Sequence, residues 1–322
     1  MSNIKNKPNI TKKNYIRRLW NNNSSIFALV VLVVFAAISS DKFFQVSNIM
    51  NVLRQTSIVG LIAIGMTFVV IGGGIDLSAG SVLALSGGVI ILMQSQGLPI
   101  VLCILGGCIA GILVGIMNGL FITKAKLAPF IVTLAVSTIA RSLLIHFANG
   151  ATLIGKNDQA FTRIGNGKIG VVPIPVIIFA IVAIIAHFVL NNTKFGTYIY
   201  AIGGNEKTAV YSGIRVDRIK IATYMVIGLC IGLASMIESA RLASVSSSSS
   251  GILYELDAIT AVIIGGTSLN GGKGRISGTI IGMLILGIIS NIMNLLGISP
   301  YLNGAVKGLI ILIAVLMQRK DR

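Results

Sequence analysis

Long apolar runs broken by short polar and glycine-rich interruptions make up nearly the whole chain. A helix that crosses a bilayer needs about 20 mostly apolar residues. Runs of that kind predict spans over roughly 25–40, 48–71, 78–93, 98–122, 129–147, 173–190, 221–243, 257–264, 276–296 and 302–317. The eighth is short. The expected fold is an all-α membrane protein, a polytopic helical bundle of about ten transmembrane helices with broken helices among them.

Two interruptions are rich in glycine. Gly72 to Gly80 divides the second and third spans, and Gly265 to Arg275 follows the eighth. Exposed backbone polar groups are costly in lipid, so the first interruption must be buried in protein or line a wet cavity. In the fourth span Gly106, Gly107, Gly111, Gly115 and Gly119 recur mostly at fours, a spacing that lets two helices approach closely. The segment 149–172 is the longest polar loop, and Ser246 to Ser250 reads as an external or interfacial loop.

Composition removes the soluble alternatives. Of 322 residues 54% are hydrophobic and 11% charged, with mean hydropathy +0.91. Little is left for an extramembrane domain, so the expected organisation is an N-terminal cytoplasmic tail over 1–24 and one transmembrane domain over 25–322, with a cytoplasmic loop at 191–220. Net charge is +17, from 26 basic and 9 acidic residues. In a soluble chain that would suggest nucleic acid; here topology explains it, because cytoplasmic loops accumulate Lys and Arg. If both termini lie inside, the tail, Lys124 and Lys126, the 191–220 loop, Lys273 and Arg275, and Arg319, Lys320 and Arg322 all fall on one side. The expected location is the cytoplasmic (inner) membrane, multi-pass and in contact with lipid, with both termini cytoplasmic and Trp20 as an interfacial anchor. No A-x-A-like cleavage site follows the first apolar run, so the tail reads as retained.

The 191–220 loop contains a polar, helix-like island. Gly203 and Gly204 loosen the chain, Asn205 can cap a helix, Glu206 sits where the helix dipole favours an anion, and Gly213 can end the helix in a left-handed turn. The helix implied is about seven residues, roughly 10 Å, too short to stand alone in water. Glu206, Ala209, Val210 and Gly213 recur at i, i+3, i+4, i+7 and form a small-residue face suited to another protein's groove. The residues expected to couple this chain to such a partner are Gly204, Asn205, Glu206, Ala209, Val210 and Gly213. The alternative is a capped connector that only turns the chain.

Polar residues inside apolar runs each need a partner, a cavity or an interface, since a charge at the bilayer centre costs roughly 2.5 to 3.5 kcal/mol on insertion scales. Asp76 lines a solute route or, with Ser78, caps the third span. Glu238 and Arg241 stand at i, i+3 and can pair with each other. Glu255 and Asp257 precede the eighth span, where carboxylates favour a helix start. Arg54 and Lys307 fall near an interface, within reach of water for their long stems. Arg141 has no acid within one turn and needs a partner from another span, or sugar hydroxyls. The candidate substrate pathway comprises Asp76, Ser78, Arg141, Glu238, Arg241, Glu255 and Asp257.

Enzyme chemistry finds no support. Gly165 to Gly170 fits GxGxxG, but Val171-Val172-Pro173 follows it instead of a helix. Before Lys273, Thr267 stands where a Walker A loop requires its first glycine, and Gly274 stands where Ser or Thr is required, so no ATP site can be placed here. Cys103, Cys108 and Cys230 form no CxxC, and His146 and His187 are isolated. No metal, cofactor or catalytic residue is expected.

Several separated motifs occur in a specific order: Gly74-Ile75-Asp76-Leu77-Ser78, then Gly196 through Glu206 (GTYIYAIGGNE), then Tyr254-Glu255-Leu256-Asp257-Ala258-Ile259, Gly265-Gly266-Thr267-Ser268-Leu269 and Gly271-Gly272-Lys273-Gly274. With them the chain resembles, over nearly its whole length after the tail, the ribose-type sugar permeases, the membrane subunits of ATP-binding-cassette importers. The resemblance implies a homodimer with a second permease copy, two cytoplasmic ATP-binding subunits and an extracytoplasmic sugar-binding protein that delivers a monosaccharide. Asn205 to Gly213 would be the coupling helix. Two departures are visible: Thr197 stands where relatives often carry a basic residue, and Ser246 to Gly251 replaces a Pro-containing turn. An ion-coupled secondary sugar transporter is the alternative; it also explains polar breaks, but it needs buried titratable groups and gives the capped helix no purpose.

Overall fold

A computed structural model describes residues 12–156, 158–299, 302, 304–310 and 312, with backbone alone for 12–24. The chain runs through α1 (Lys12–Ser39), α2 (Val46–Ile71), α3 (Ala79–Ser95), α4 (Ile100–Thr123) and α5 (Pro129–Phe147). A small subdomain follows: β1 (Thr152–Ile154), α6 (Gln159–Asn166), β2 (Lys168–Ile169) and β3 (Val172–Pro173). Then come α7 (Ile174–Asn192), α8 (Lys194–Gly204), α9 (Glu206–Tyr211), α10 (Val216–Leu242), β4 (Ser244–Ser246), α11 (Tyr254–Ile264) and α12 (Ile276–Leu295). A helical segment at 304–310 closes the described chain.

This is a multi-pass helical membrane protein. Among the described residues six helices, α2, α4, α5, α7, α10 and α12, are long and apolar enough to cross a bilayer, against the ten spans expected. Two further apolar helices, Ser25–Ser39 within α1 and Ala79–Ser95, are shorter. The eleven residues of α11 reach about 16 Å at 1.5 Å per residue, roughly half a hydrocarbon core of about 30 Å. Helix α1 begins at Lys12, so it extends back through part of the basic segment expected to be a tail. Residues 1–11, the side chain of Trp20, most of 311–317, and Arg319, Lys320 and Arg322 lie outside the described residues.

Small residues decide which helices meet. A Cβ on Gly111 would strike the Gly228 carbonyl, one on Gly115 the Tyr224 carbonyl, and one on Gly119 would lie 2.8 Å from the Ile221 Cα. The glycines of α4 therefore admit the α10 backbone at a distance no larger residue permits. The opposite face of α4 keeps Leu102, Leu105, Ile109 and Leu113 exposed, a surface made for lipid. The inner half of α2, with α3 and the middle of α10, forms the core, while α4, α5 and α7 lie at the periphery. Within that core Thr67 and Thr279 satisfy each other through their hydroxyls at 2.7 Å, joining α2 to α12.

The two ends of the bundle are distinguished by α9 at one and α6 at the other. At the α6 end, 149–172 is not an unstructured loop. Strand β1 pairs antiparallel with β4, Leu153 opposite Val245, and β2 pairs with β3. Asp158 caps α6 by accepting from the N–H groups of Ala160 and Phe161. Asn166 then donates to the Arg241 carbonyl at 2.9 Å, closing the last turn of α10. Gly165, in the GxGxxG stretch, is small because the Arg241 backbone lies against it.

Candidate functional site

At the α9 end the island folds much as its residues dictate. Asn205 accepts from the Thr208 N–H at 3.0 Å, capping α9, and Gly213 turns the chain with φ +79. The face it presents differs from the expected one. Ala209 is 3% exposed, packed with Ile202 and Val216 of its own chain. Glu206 pairs with Lys220 at 2.7 Å. Val210 and Tyr211, 54% and 89% exposed, project outward, with Lys207 and Gly213 also exposed. Helical periodicity placed Ala209 and Val210 together; only the packing of α9 on α10 tells which points in.

Helix α8 carries this island to the core. Thr193 caps its start by accepting from the Gly196 N–H at 3.3 Å, and Phe195 stacks on Phe68 of α2 at 6.2 Å between centroids. At its end Gly203 lies against the Ile71 carbonyl and the Gly272 N–H, where a Cβ would collide. Tyr200 donates its hydroxyl to the Gly274 carbonyl at 2.8 Å. Burial raises the Tyr200 phenol above its ordinary value, which keeps it a donor. The α8–α9 unit thus touches both glycine-rich interruptions at once.

The first interruption is closed by protein. Tyr224 donates to the Ile75 carbonyl at 3.0 Å, and the Leu77 N–H donates to Thr133 at 3.0 Å. Asp76, 1% exposed, accepts from the Ser78 N–H at 2.8 Å and its hydroxyl at 2.6 Å, and Asn118 donates to Ser78 at 3.1 Å. Neither side chain caps a helical N–H of α3 as expected: Asp76 bonds Ser78 just ahead of the helix, and both lie away from the cavity described below.

A second cluster forms behind α11. Arg141 donates to the carbonyls of Ser247 and Ser250 at 3.1 and 2.8 Å, so it clamps the serine segment instead of waiting for sugar hydroxyls. The segment is a turn whose ends, Ser247 and Ser250, are buried while Ser248 and Ser249 stay exposed, so one side of the expected loop is held against the protein. Glu238, buried, lies beside Tyr254 and Ser250 and makes no ion pair with Arg241, despite their i, i+3 spacing. The Glu255 carboxylate stands against Gly80 in the first turn of α3, where a Cβ would collide with it and where the helix dipole favours an anion. The segment between β4 and α11 therefore folds back from the end of α10 to the start of α3.

In front of α11 is a cavity of about 230 Å³, walled by α2, α11, α12, the last turn of α10 and 304–310. Of the pathway candidates it gathers Arg241 and Asp257 and excludes the other five. Lys307 does not reach for water; its Nζ binds Asp257 at 2.6 Å on the cavity wall. Gln55, Thr56, Tyr254 and Ser290 complete the polar lining. Sequence reasoning missed Gln55, Thr56, Tyr254 and Ser290 as a group, because they stand on three helices whose juxtaposition no local pattern encodes. Among the described residues no group of His, Cys, Asp and Glu is suited to hold a metal ion.

Comparison with known proteins places the chain in a family. The model of a family described as branched-chain amino acid transport system / permease component matches residues 48–315. The ribose import permease protein of Haemophilus influenzae is 43% identical over 311 residues, covering 96% of each chain. Its counterpart in Bacillus subtilis is 47% identical over 293 residues, covering 91% of each. The D-allose transport system permease protein of Escherichia coli is 36% identical, covering 93% of this chain and 92% of the relative. No solved structure matches.

Proposed function

Since this chain belongs to the transport-system permease family, we propose that it is the transmembrane permease subunit of an ATP-driven importer of a monosaccharide, ribose or a related sugar. The observation that carries the reading is full-length likeness to permeases named for ribose import, stronger than the likeness to those named for allose or xylose. The family description names amino acids, and the sugar reading rests on these individual relatives. The chain itself is not an enzyme; ATP hydrolysis belongs to separate subunits.

In this reading two copies stand side by side in the inner membrane, each with about ten spans broken at 72–78 and 265–275, over a domain from 25 to 322. Lys and Arg near the α9 end support placing that end, and both termini, in the cytoplasm. An ATP-binding subunit docks on 191–220 there, through Gly204, Asn205, Glu206, Val210, Tyr211 and Gly213, while Ala209 holds the helix to its own chain. A sugar-binding protein delivers substrate at the α6 end. Closure of the ATP-binding subunits pushes α9; α8 passes the push to the backbone at Ile71 and Gly272, and so to both interruptions. The polar residues Asp76, Ser78, Arg141, Glu238, Arg241, Glu255 and Asp257 belong to the pathway, some as walls and some as the frame behind them.

Reconstitution with an ATP-binding subunit and a sugar-binding protein tests this. Ribose uptake is expected to require ATP and to survive collapse of proton and sodium gradients. ATP turnover by the isolated chain, or loss of uptake with the gradients while ATP is held high, would favour the ion-coupled alternative.

A further inference from the structure

Resting on the reading of a sugar importer, we propose that the cavity in front of α11 is a monosaccharide station, and that the Asp257–Lys307 ion pair makes it prefer polyols to amino acids. Its volume is about 230 Å³, space enough for one monosaccharide. Val52, Val59, Met283 and Leu286 give the lining an apolar part. Between them, on the same helices and on α10, stand the polar groups a ring of hydroxyls needs. Gln55 both donates and accepts, Arg241 donates in a planar fork, and Ser290 supplies a hydroxyl. Tyr254 also lines the cavity and offers its ring as a platform for the apolar face of a sugar.

Charge decides the substrate class. An α-amino acid is held best by a cation at its carboxylate and an anion at its ammonium. Arg241 would meet the first need, but Asp257 is the one acid lining the cavity among the described residues, and it already holds Lys307 at 2.6 Å. An ammonium could take Asp257 only by displacing Lys307, half-buried on the cavity wall, from its carboxylate at 2.6 Å, which costs the binding an existing ion pair. A neutral polyol displaces nothing.

The test uses the assembled complex in liposomes. In a Ser290→Cys variant, excess ribose is expected to slow labelling by a small maleimide, and leucine is expected not to. Ser290→Trp, which fills the space, is expected to cut ribose uptake at least about tenfold while ATPase activity stimulated by the binding protein persists. In Lys307→Met, which frees Asp257, leucine is expected to begin competing with ribose. Unchanged labelling with ribose, or full uptake by Ser290→Trp, overturns the station, and indifference of Lys307→Met to leucine overturns the selectivity. Wild-type complex that imports leucine and no sugar would overturn the functional reading itself, a separate outcome.

Discussion

Gly272 donates its backbone N–H to the carbonyl of Ile71 at 2.8 Å, tying the turn before α12 to the last residue of α2. Gly203, one residue from the end of α8, lies against both partners, and a Cβ there would be 2.5 Å from the Gly272 nitrogen. Three chain segments therefore meet backbone to backbone, with no side chain between them to bend and absorb a displacement. A push on α9 reaches both glycine-rich interruptions through this junction.

Gly203→Val is accordingly expected to reduce uptake by tenfold or more, the effect of an overpacking cost of roughly 1–3 kcal/mol placed on the transmission route. ATP hydrolysis by the complex should continue without matching transport. Parallel assays of uptake and hydrolysis check this, and tightly coupled, normal transport would show that the close approach has no mechanical role.

The exposed face of α9 yields a contrast between neighbours. Tyr211→Ala is expected to weaken association with the ATP-binding subunit by about 2 kcal/mol, about 30-fold, as loss of an aromatic anchor does. Ala209→Asp acts differently, since it buries a carboxylate against Ile202 and Val216 and destabilises the seat of α9. Glu206→Gln removes an ion pair whose partners are 54% and 23% exposed, and is expected to change stability by less than about 1 kcal/mol. Co-purification and thermal unfolding separate the three.

Arg141→Met removes two charge-assisted hydrogen bonds to Ser247 and Ser250. Each is worth about 1.5–3 kcal/mol, so the segment between β4 and α11 should open more often. Amide hydrogen exchange over 244–253 is expected to accelerate, and Arg141→Lys should restore it only in part, because a point charge cannot reach both carbonyls as the planar fork does.

Gly115→Leu places a side chain where the Tyr224 carbonyl stands. Helices α4 and α10 can then no longer touch, and little folded protein should accumulate in the membrane. An exposed substitution on the lipid face of the same helix, Leu113→Ile, is expected to change stability by no more than about 0.5 kcal/mol. Size-exclusion profiles of the detergent-extracted variants compare the two.

Much of this was legible before any coordinates. Apolar length marked α2, α4, α5, α7, α10 and α12, since hydrophobic thickness is a one-dimensional property. The cap at Asn205 and the turn at Gly213 were legible for the same reason, because cap and turn chemistry acts over three or four residues. Partners were not. Glu238 and Arg241 have ideal helical spacing, yet they form no ion pair, and Glu238 lies beside Tyr254 and Ser250 of the following segments. Lys307, which looked like a residue reaching for the interface, meets Asp257 fifty positions earlier in the chain.

Sequence by itself determined that this chain enters a membrane, that its interruptions carry glycine and polar groups, and that a capped helix lies between α8 and α10. Each follows from short-range physics, namely transfer of apolar residues from water and satisfaction of neighbouring backbone groups. Only the tertiary structure decided that α8 ends against Ile71 and Gly272, that Arg141 clamps a serine segment, and that Asp257 and Lys307 close one wall of a cavity. Those contacts depend on which helix faces which, and small residues on several helices must act together to settle that.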